Sequence, residues 1–254
     1  MGSANIFKTS GGLSREGLFT LPALDQCGFS HFFGTKAIGK EDGGRLHGGD
    51  RVRLRQVHGD QIIIVDDQSH AQGEQTGDGL MTDRPGILMM VSTADCLPVV
   101  LIDPDRWVAA ALHAGWRGTL LNISAKAVSF MKRLYGSDPA SIRVGMGPCI
   151  GRCCFEVGKE VWKPIEDEYS FGHQVIYGQT GDKAMVDIAD LNRLQLMEAG
   201  LLPDNISQVD LCTFCHPDSF YSYRRDKMRI GNMLSGVMLN DKERIDHIEN
   251  HKIK

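Results

Sequence analysis

Three short segments place a metal-competent side chain beside strand-like residues: Arg55-Gln56-Val57-His58-Gly59, Thr93-Ala94-Asp95-Cys96-Leu97-Pro98 and His113-Ala114-Gly115-Trp116-Arg117-Gly118. Imidazole and thiolate are good ligands for Zn²⁺, and three protein ligands leave the fourth tetrahedral position open to water or substrate, as a catalytic site requires. The apolar runs flanking Cys96 and His113 bring both to strand ends, where loops converge on pockets. Spacing by itself does not establish the set. The ligands lie 38 residues (58 to 96) and 17 residues (96 to 113) apart, which matches no short zinc motif. A histidine or cysteine beside an apolar strand is ordinarily a satisfied core residue.

The elements that must position these groups are legible as short apolar runs. Gln61 to Val65, Ile87 to Val91, Leu97 to Ile102, Trp107 to Leu112 and Ile142 to Met146 have strand length and lie near turn residues. Helical periodicity predicts a helix over Leu120 to Leu134, with Gly136 as its stop, and two more over Val157 to Glu168 and Asp187 to Ala199, the last ending at Gly200. Strands dominate the first half and alternate with helices in the second. That order predicts an α+β fold rather than a regularly alternating parallel sheet. Gly43 to Gly49 reads as a Gly-rich loop, and with no repeat or linker-like shift in composition the reading is a single domain over 1–254.

Composition narrows the partners. A net charge of -4 and a pI near 6.1 give no basic excess to neutralise a phosphate backbone, so nucleic acid is not expected. The N-terminus lacks the basic and apolar regions of a secretory signal, and no apolar run approaches the ~20 residues of a membrane span, which predicts a cytoplasmic protein with no membrane partner. Seven cysteines in a reducing compartment read as free thiols, metal ligands or a nucleophile rather than as a disulfide framework. Oligomeric state has no signature in the sequence.

The blocks RQVHGD, TADCLPVVLID, HAGWRGTL, GPCIGRCCFEVG and FYSYRRD, in this order between about His31 and Gly231, resemble the successive signatures of the YfiH family, also called the laccase-domain or multicopper polyphenol oxidase family. The resemblance implies mixed β-sheets flanked by helices in a layered α/β/β/α arrangement, and a zinc held by His58, Cys96 and His113. It also implies phosphorolysis of adenosine, inosine and methylthioadenosine, hydrolytic deamination of adenosine, and hence purine nucleosides and phosphate as partners.

Each reaction then nominates residues. For deamination by a zinc-activated water, Asp95 is the candidate for proton transfer or for orienting a ligand, the alternative being a cap or turn carboxylate. For phosphorolysis, the planar guanidinium fork suits phosphate oxygens, which nominates Arg117 first and Arg225 second. Gln56, beside His58, and Asp78, in the acidic block TGDGLMT, join the substrate-binding candidates; for Asp78 the alternative is an Asp-Gly turn. Trp116 reads as a packing residue. The chain departs from the family pattern in a short segment between His31 and His58, in Lys36 where arginine is usual, and in Asn232 where the pair Gly-Arg is usual.

Other chemistry is written in the same residues. Cys212-Thr213-Phe214-Cys215-His216 matches the pattern of covalent haem attachment, but no export signal accompanies it. A closed zinc site from Cys212, Cys215 and two of Cys149, Cys153 and Cys154 is chemically open, without paired CxxC spacing. Copper-dependent oxidation of phenols would need more clustered imidazoles than nine histidines with no His-x-His supply, although the thiolate and imidazole ligands would bind added Cu²⁺ tightly in vitro. A non-catalytic, zinc-stabilised interaction protein would close the three ligands with a fourth protein group.

Overall fold

The strands Leu97–Asp103 and Val108–Ala114 are buried along their whole length, as strands covered on both faces must be. Their side chains alternate between two cores. Val99, Leu101, Ala110 and Leu112 enter the core beneath the helices, whereas Val100, Ile102, Ala109 and Ala111 enter the core shared by two sheets. The structure, a computed structural model, describes residues 12–13, 17–25, 28–38, 50–66, 75–227 and 231–240. The predicted loop at 43–49 lies outside the described residues.

These two strands form the centre of a six-stranded sheet in the order Ile206–Gln208, Arg143–Met146, Leu97–Asp103, Val108–Ala114, Gly79–Thr82 and Ile62–Ile64. Its two outermost pairings are parallel and its inner ones antiparallel. A second six-stranded sheet runs Gly12–Leu13, Leu18–Thr20, Phe29–Gly34, Met233–Leu239, Ile87–Thr93 and Asp50–Val52, parallel only at the last pair. Phe33, Val91 and Val237 of this sheet meet Val100 and Ala111 of the central one, so the sheets pack face to face. A small antiparallel sheet of Glu156–Gly158, Lys183–Val186 and Ile176–Thr180 completes the α+β architecture.

Helices cover the outer face of the central sheet. Ile123, Ala127, Val128 and Met131 of the Ile123–Tyr135 helix share that core with Ile188, Leu191 and Leu196 of the Ile188–Glu198 helix. The latter begins as predicted, with Asp187 accepting the Asp190 N–H at 3.0 Å, and ends before Gly200 at φ 102°. Two predicted helices need correction. The one predicted from Leu120 is divided into Trp116–Leu120 and Ile123–Tyr135, because Asn122 adopts the left-handed conformation at φ 64°, which asparagine tolerates better than most residues. Val157 belongs to a strand, and its helix begins at Lys159. No helix among the described residues is long and apolar enough to cross a membrane.

The short Trp116–Leu120 helix packs directly against the loop that carries His58. A Cβ at Gly118 would lie 2.6 Å from the Gly59 carbonyl oxygen, a backbone atom that cannot rotate away. Gly118→Ala must push helix and loop apart, which at overpacked positions costs about 1–3 kcal/mol. We expect a lower denaturant midpoint in equilibrium unfolding; an unchanged midpoint would show that the loop yields freely.

Candidate functional site

His58 and Cys96 both lie where the chain leaves one large sheet and enters the other. The connection from Asp50–Val52 to Ile62–Ile64 carries His58, and the three-residue turn from Ile87–Thr93 to Leu97–Asp103 carries Cys96. His113 sits near the end of Val108–Ala114, opposite Pro98 in the ladder. The ligand atoms of the three residues lie within 4.8 Å of one another, and the His58 and His113 rings meet edge-on with centroids 4.8 Å apart. Gly115 makes the convergence possible: a Cβ there would lie 3.2 Å from both Cys96 Sγ and His58 Cδ2.

Asp78 organises this cluster. Its fully buried carboxylate accepts His113 Nδ1–H at 2.8 Å, and the N–H groups of Val57, His58 and Gly59 at 3.2, 2.9 and 2.7 Å. Because a carboxylate can only accept, Nδ1 carries the proton and Nε2 is left for a metal. Burial works to raise the Asp78 pKa, but the bonds from His113, Gly59 and Val57 outweigh it and hold the carboxyl below its ordinary value. Burial likewise opposes the thiolate of Cys96, yet the neighbouring His113 and His58 bring the thiol down to about 7. His113, disfavoured as a cation by burial, is raised to about 9 by its bonds to Asp78 and Cys96. Two imidazoles and an easily ionised thiol, one ring fixed by a carboxylate, fit a metal ion with borderline-soft preferences.

The cluster lines a cavity of about 1110 Å³, shared with Gln56, Asp95, Arg117 and Arg224. Gln56 braces the wall, its amide donating to the Ser92 carbonyl and accepting the Ser92 N–H, both at 2.8 Å. Asp95, at φ 85°, accepts from Thr213 Oγ1 at 2.6 Å, Ser222 Oγ at 3.0 Å and the Arg224 N–H at 2.7 Å. Arg117 is exposed, with its guanidinium stacked 4.1 Å from the Trp116 ring centroid. Trp116 is half-buried, packs on the helical core and also lines the cavity.

Arg225 requires a correction. All five of its N–H donors are committed, to Asp226 at 2.8 and 2.9 Å and to the carbonyls of Thr213, Phe214 and Phe220 at 2.9–3.0 Å. It does not line the cavity, whereas its neighbour Arg224 does. Sequence reasoning also missed Phe155, Tyr221 and Tyr223 on the cavity wall, although FYSYRRD contains two of them. Of the departures from the family pattern, Lys36 bonds the Pro217 carbonyl at 2.6 Å and lies over the Tyr221 ring, and Asn232 faces the cavity.

Residues 44–240 match the family model described as multi-copper polyphenol oxidoreductase laccase, and the chain belongs to that family. It is 35% identical over 191 residues to Purine nucleoside phosphorylase YfiH of Shigella flexneri, covering 74% of this chain and 73% of that protein. It is 35% identical over 196 residues to Adenosine deaminase RL5 from an unknown prokaryotic organism, covering 74% of each. The match to Purine nucleoside phosphorylase LACC1 of Mus musculus, 31% identical over 193 residues, takes in 74% of this chain but only 43% of that protein. Among solved structures, hypothetical protein YfiH of Bacillus licheniformis is similar with a TM-score of 0.86 and 28% identity, over 92% of this chain and 100% of that one.

With a metal at His113 Nε2, Asp78 would be the carboxylate of a carboxylate–histidine–metal arrangement. Replacing Asp78 with Asn weakens the bond to Nδ1–H and the hold on the His58 loop, and losing such a partner lowers metal affinity about 10- to 100-fold. Competition for Zn²⁺ against a chromophoric chelator measures this. Cys96→Ala, which removes one of the three candidate ligands outright, should lose more. Undiminished zinc content in Cys96→Ala would remove Cys96 from the ligand set.

Proposed function

We propose that the protein is a zinc-dependent purine nucleoside phosphorylase with adenosine deaminase activity, acting in the cytoplasm as a single catalytic domain over 1–254. The observation that carries this reading is the convergence of His58, Cys96 and His113 on the wall of a large cavity that also presents Arg117 and Arg224. The names of the relatives, purine nucleoside phosphorylase and adenosine deaminase, supply the reaction classes.

His58, Cys96 and His113 would hold the zinc, with Asp78 fixing the His113 tautomer and Asp95 fixing the turn beside Cys96. A zinc ion there supplies Lewis acidity toward an oxygen of water or substrate. Phosphorolysis joins a phosphate oxygen to the anomeric carbon and breaks the bond to the purine, giving free base and pentose 1-phosphate from adenosine, inosine or methylthioadenosine. Arg117, and Arg224 in place of Arg225, bind and orient the phosphate dianion through charge-assisted bonds. Phe155, Tyr221 and Tyr223 offer aromatic faces for the purine. Deamination replaces the adenosine amino group by oxygen from water, releasing inosine and ammonia, and needs no phosphate.

The test is chromatographic product analysis of adenosine, inosine and methylthioadenosine with metal-quantified protein, with and without phosphate. Free base should appear only with phosphate, and inosine from adenosine without it; absence of both overturns the proposal. Arg117→Met separates the reactions, since methionine keeps the packing on Trp116 but removes the charge. Losing a charge-assisted bond costs about 1.5–3 kcal/mol, or roughly ten- to a hundredfold in rate. Ribose 1-phosphate formation should fall by that factor while inosine formation from adenosine persists. Equal loss would assign Arg117 to the fold or the purine, and equal retention would pass the phosphate to Arg224.

The laccase description of the family favours a second reading, copper-dependent oxidation of phenols. The site gathers two imidazoles and one thiolate, enough for one copper and too few for a multicopper cluster. Copper-free, zinc-loaded protein should therefore leave a phenolic dye unoxidised. Sustained turnover of the dye would reverse the order of the two readings.

A further inference from the structure

The fold assembles a second group of soft ligands that the nucleoside reading does not use. Cys153 and Cys154, in the loop after Arg143–Met146, meet Cys212 and Cys215, and the four Sγ atoms lie within 4.8 Å of one another. Cys215 Sγ is 3.7 Å from Cys153 Sγ and 3.4 Å from Cys154 Sγ. A tetrahedral Zn–S bond of ≈ 2.3 Å places neighbouring sulfurs about 3.8 Å apart, so these thiols already stand near the corners of a tetrathiolate site. We infer that Cys153, Cys154, Cys212 and Cys215 bind a second zinc ion in a closed, structural site.

Three further features support it. Cys212 Sγ accepts the Gly151 N–H at 3.2 Å and is also approached by the Cys215 N–H, as a charge-bearing sulfur in a metal knuckle is. Gly151 leaves room for this close approach: a Cβ there would lie 3.2 Å from Cys212 Cβ and 3.3 Å from Cys153 Sγ. The backbone brings the loops together independently of the sulfurs, through the bridge of Cys149 to Cys212 and the Thr213 N–H bond to the Cys149 carbonyl at 2.9 Å. Four sulfurs fill a tetrahedral zinc, leaving no position for substrate. The ion would clamp the loop leading to Phe155 onto the loop that carries Thr213, which holds Asp95. It is thus a fastening for the cavity wall, separate from the His58, Cys96 and His113 centre.

The test uses the full chain, purified under reducing conditions with zinc and without chelator. Elemental analysis should give two zinc ions per wild-type chain, one in Cys96→Ala and one in the double variant Cys212→Ser/Cys215→Ser. Cobalt-substituted Cys96→Ala should show the intense visible bands of a tetrahedral tetrathiolate, and the double variant should lack them. Should the double variant fail to fold, alkylation of native wild-type protein decides: Cys153 and Cys215, both exposed, should react slowly until a chelator is added. One zinc in the wild type together with none in Cys96→Ala overturns the inference, as does equal alkylation before and after chelation. The first site is reported independently by nucleoside turnover, so failure of one proposal does not mimic failure of the other.

Discussion

A carboxylate with no exposure to water must have its charge and lone pairs satisfied inside the protein, or its burial costs several kcal/mol. Asp78 meets this condition with four donors, and the identity of those donors is what shapes the site. Three are consecutive N–H groups of the loop at His58, and the fourth is the His113 ring. One side chain therefore fixes the position of His58 through its backbone and the tautomer of His113 through its imidazole. The His113 N–H also bonds the Asp78 carbonyl at 2.7 Å, so strand and carboxylate are held in one register.

The same logic explains two strained residues. His58 at φ 61° and Asp95 at φ 85° are non-glycine residues in the left-handed region, where the cost is of order 1–3 kcal/mol each. Both lie on connections that pass between the two large sheets, where an extended chain cannot turn sharply enough. At His58 the turn is held by Asp78, and at Asp95 by Thr213, Ser222 and the Arg224 backbone. Such bonds over-determine the turns and hold His58 and Cys96 toward one another. Preorganisation is thereby built from backbone geometry.

The sequence made the buried strands legible because residues covered on both faces form continuous apolar runs, as Leu97 to Ile102 does. Phe29–Gly34 and Met233–Leu239 escaped because serine, histidine and glycine interrupt their apolar pattern, although both lie in the middle of a sheet. The break at Asn122 is a backbone event inside an unbroken periodicity, so no count of apolar residues reveals it. At the site, ligand chemistry and the family resemblance named the three converging residues, and Asp78 was visible as a substrate-binding candidate or a turn acid, not as the partner of His113. That a turn aspartate bonds a histidine 35 residues away is a property of sheet pairing, Gly79–Thr82 lying against Val108–Ala114. For the cysteines the sequence offered Cys212 and Cys215 with two of Cys149, Cys153 and Cys154; with 58 residues between Cys154 and Cys212, only the fold shows that the two are Cys153 and Cys154.

Arg224 and Arg225 show why adjacent identical residues diverge in role. Of the short Tyr223–Asp226 segment, Tyr223, Arg224 and Asp226 line the cavity and Arg225 does not. Arg225 turns to the protein, where carbonyls of residues 213, 214 and 220 and the Asp226 carboxylate enclose its guanidinium. That enclosure draws the 213–220 loop onto the turn, and the turn in consequence presents the Arg224 N–H to Asp95. The loop so fastened begins at Cys212 and includes Cys215, whose sulfurs meet those of Cys153 and Cys154. Cysteine cluster, guanidinium cage and Asp95 tether thus act on one stretch of irregular backbone, 212–226. Irregular backbone has no ladder of its own to hold it, and this stretch of the cavity wall is instead fastened at several points by side-chain bonds.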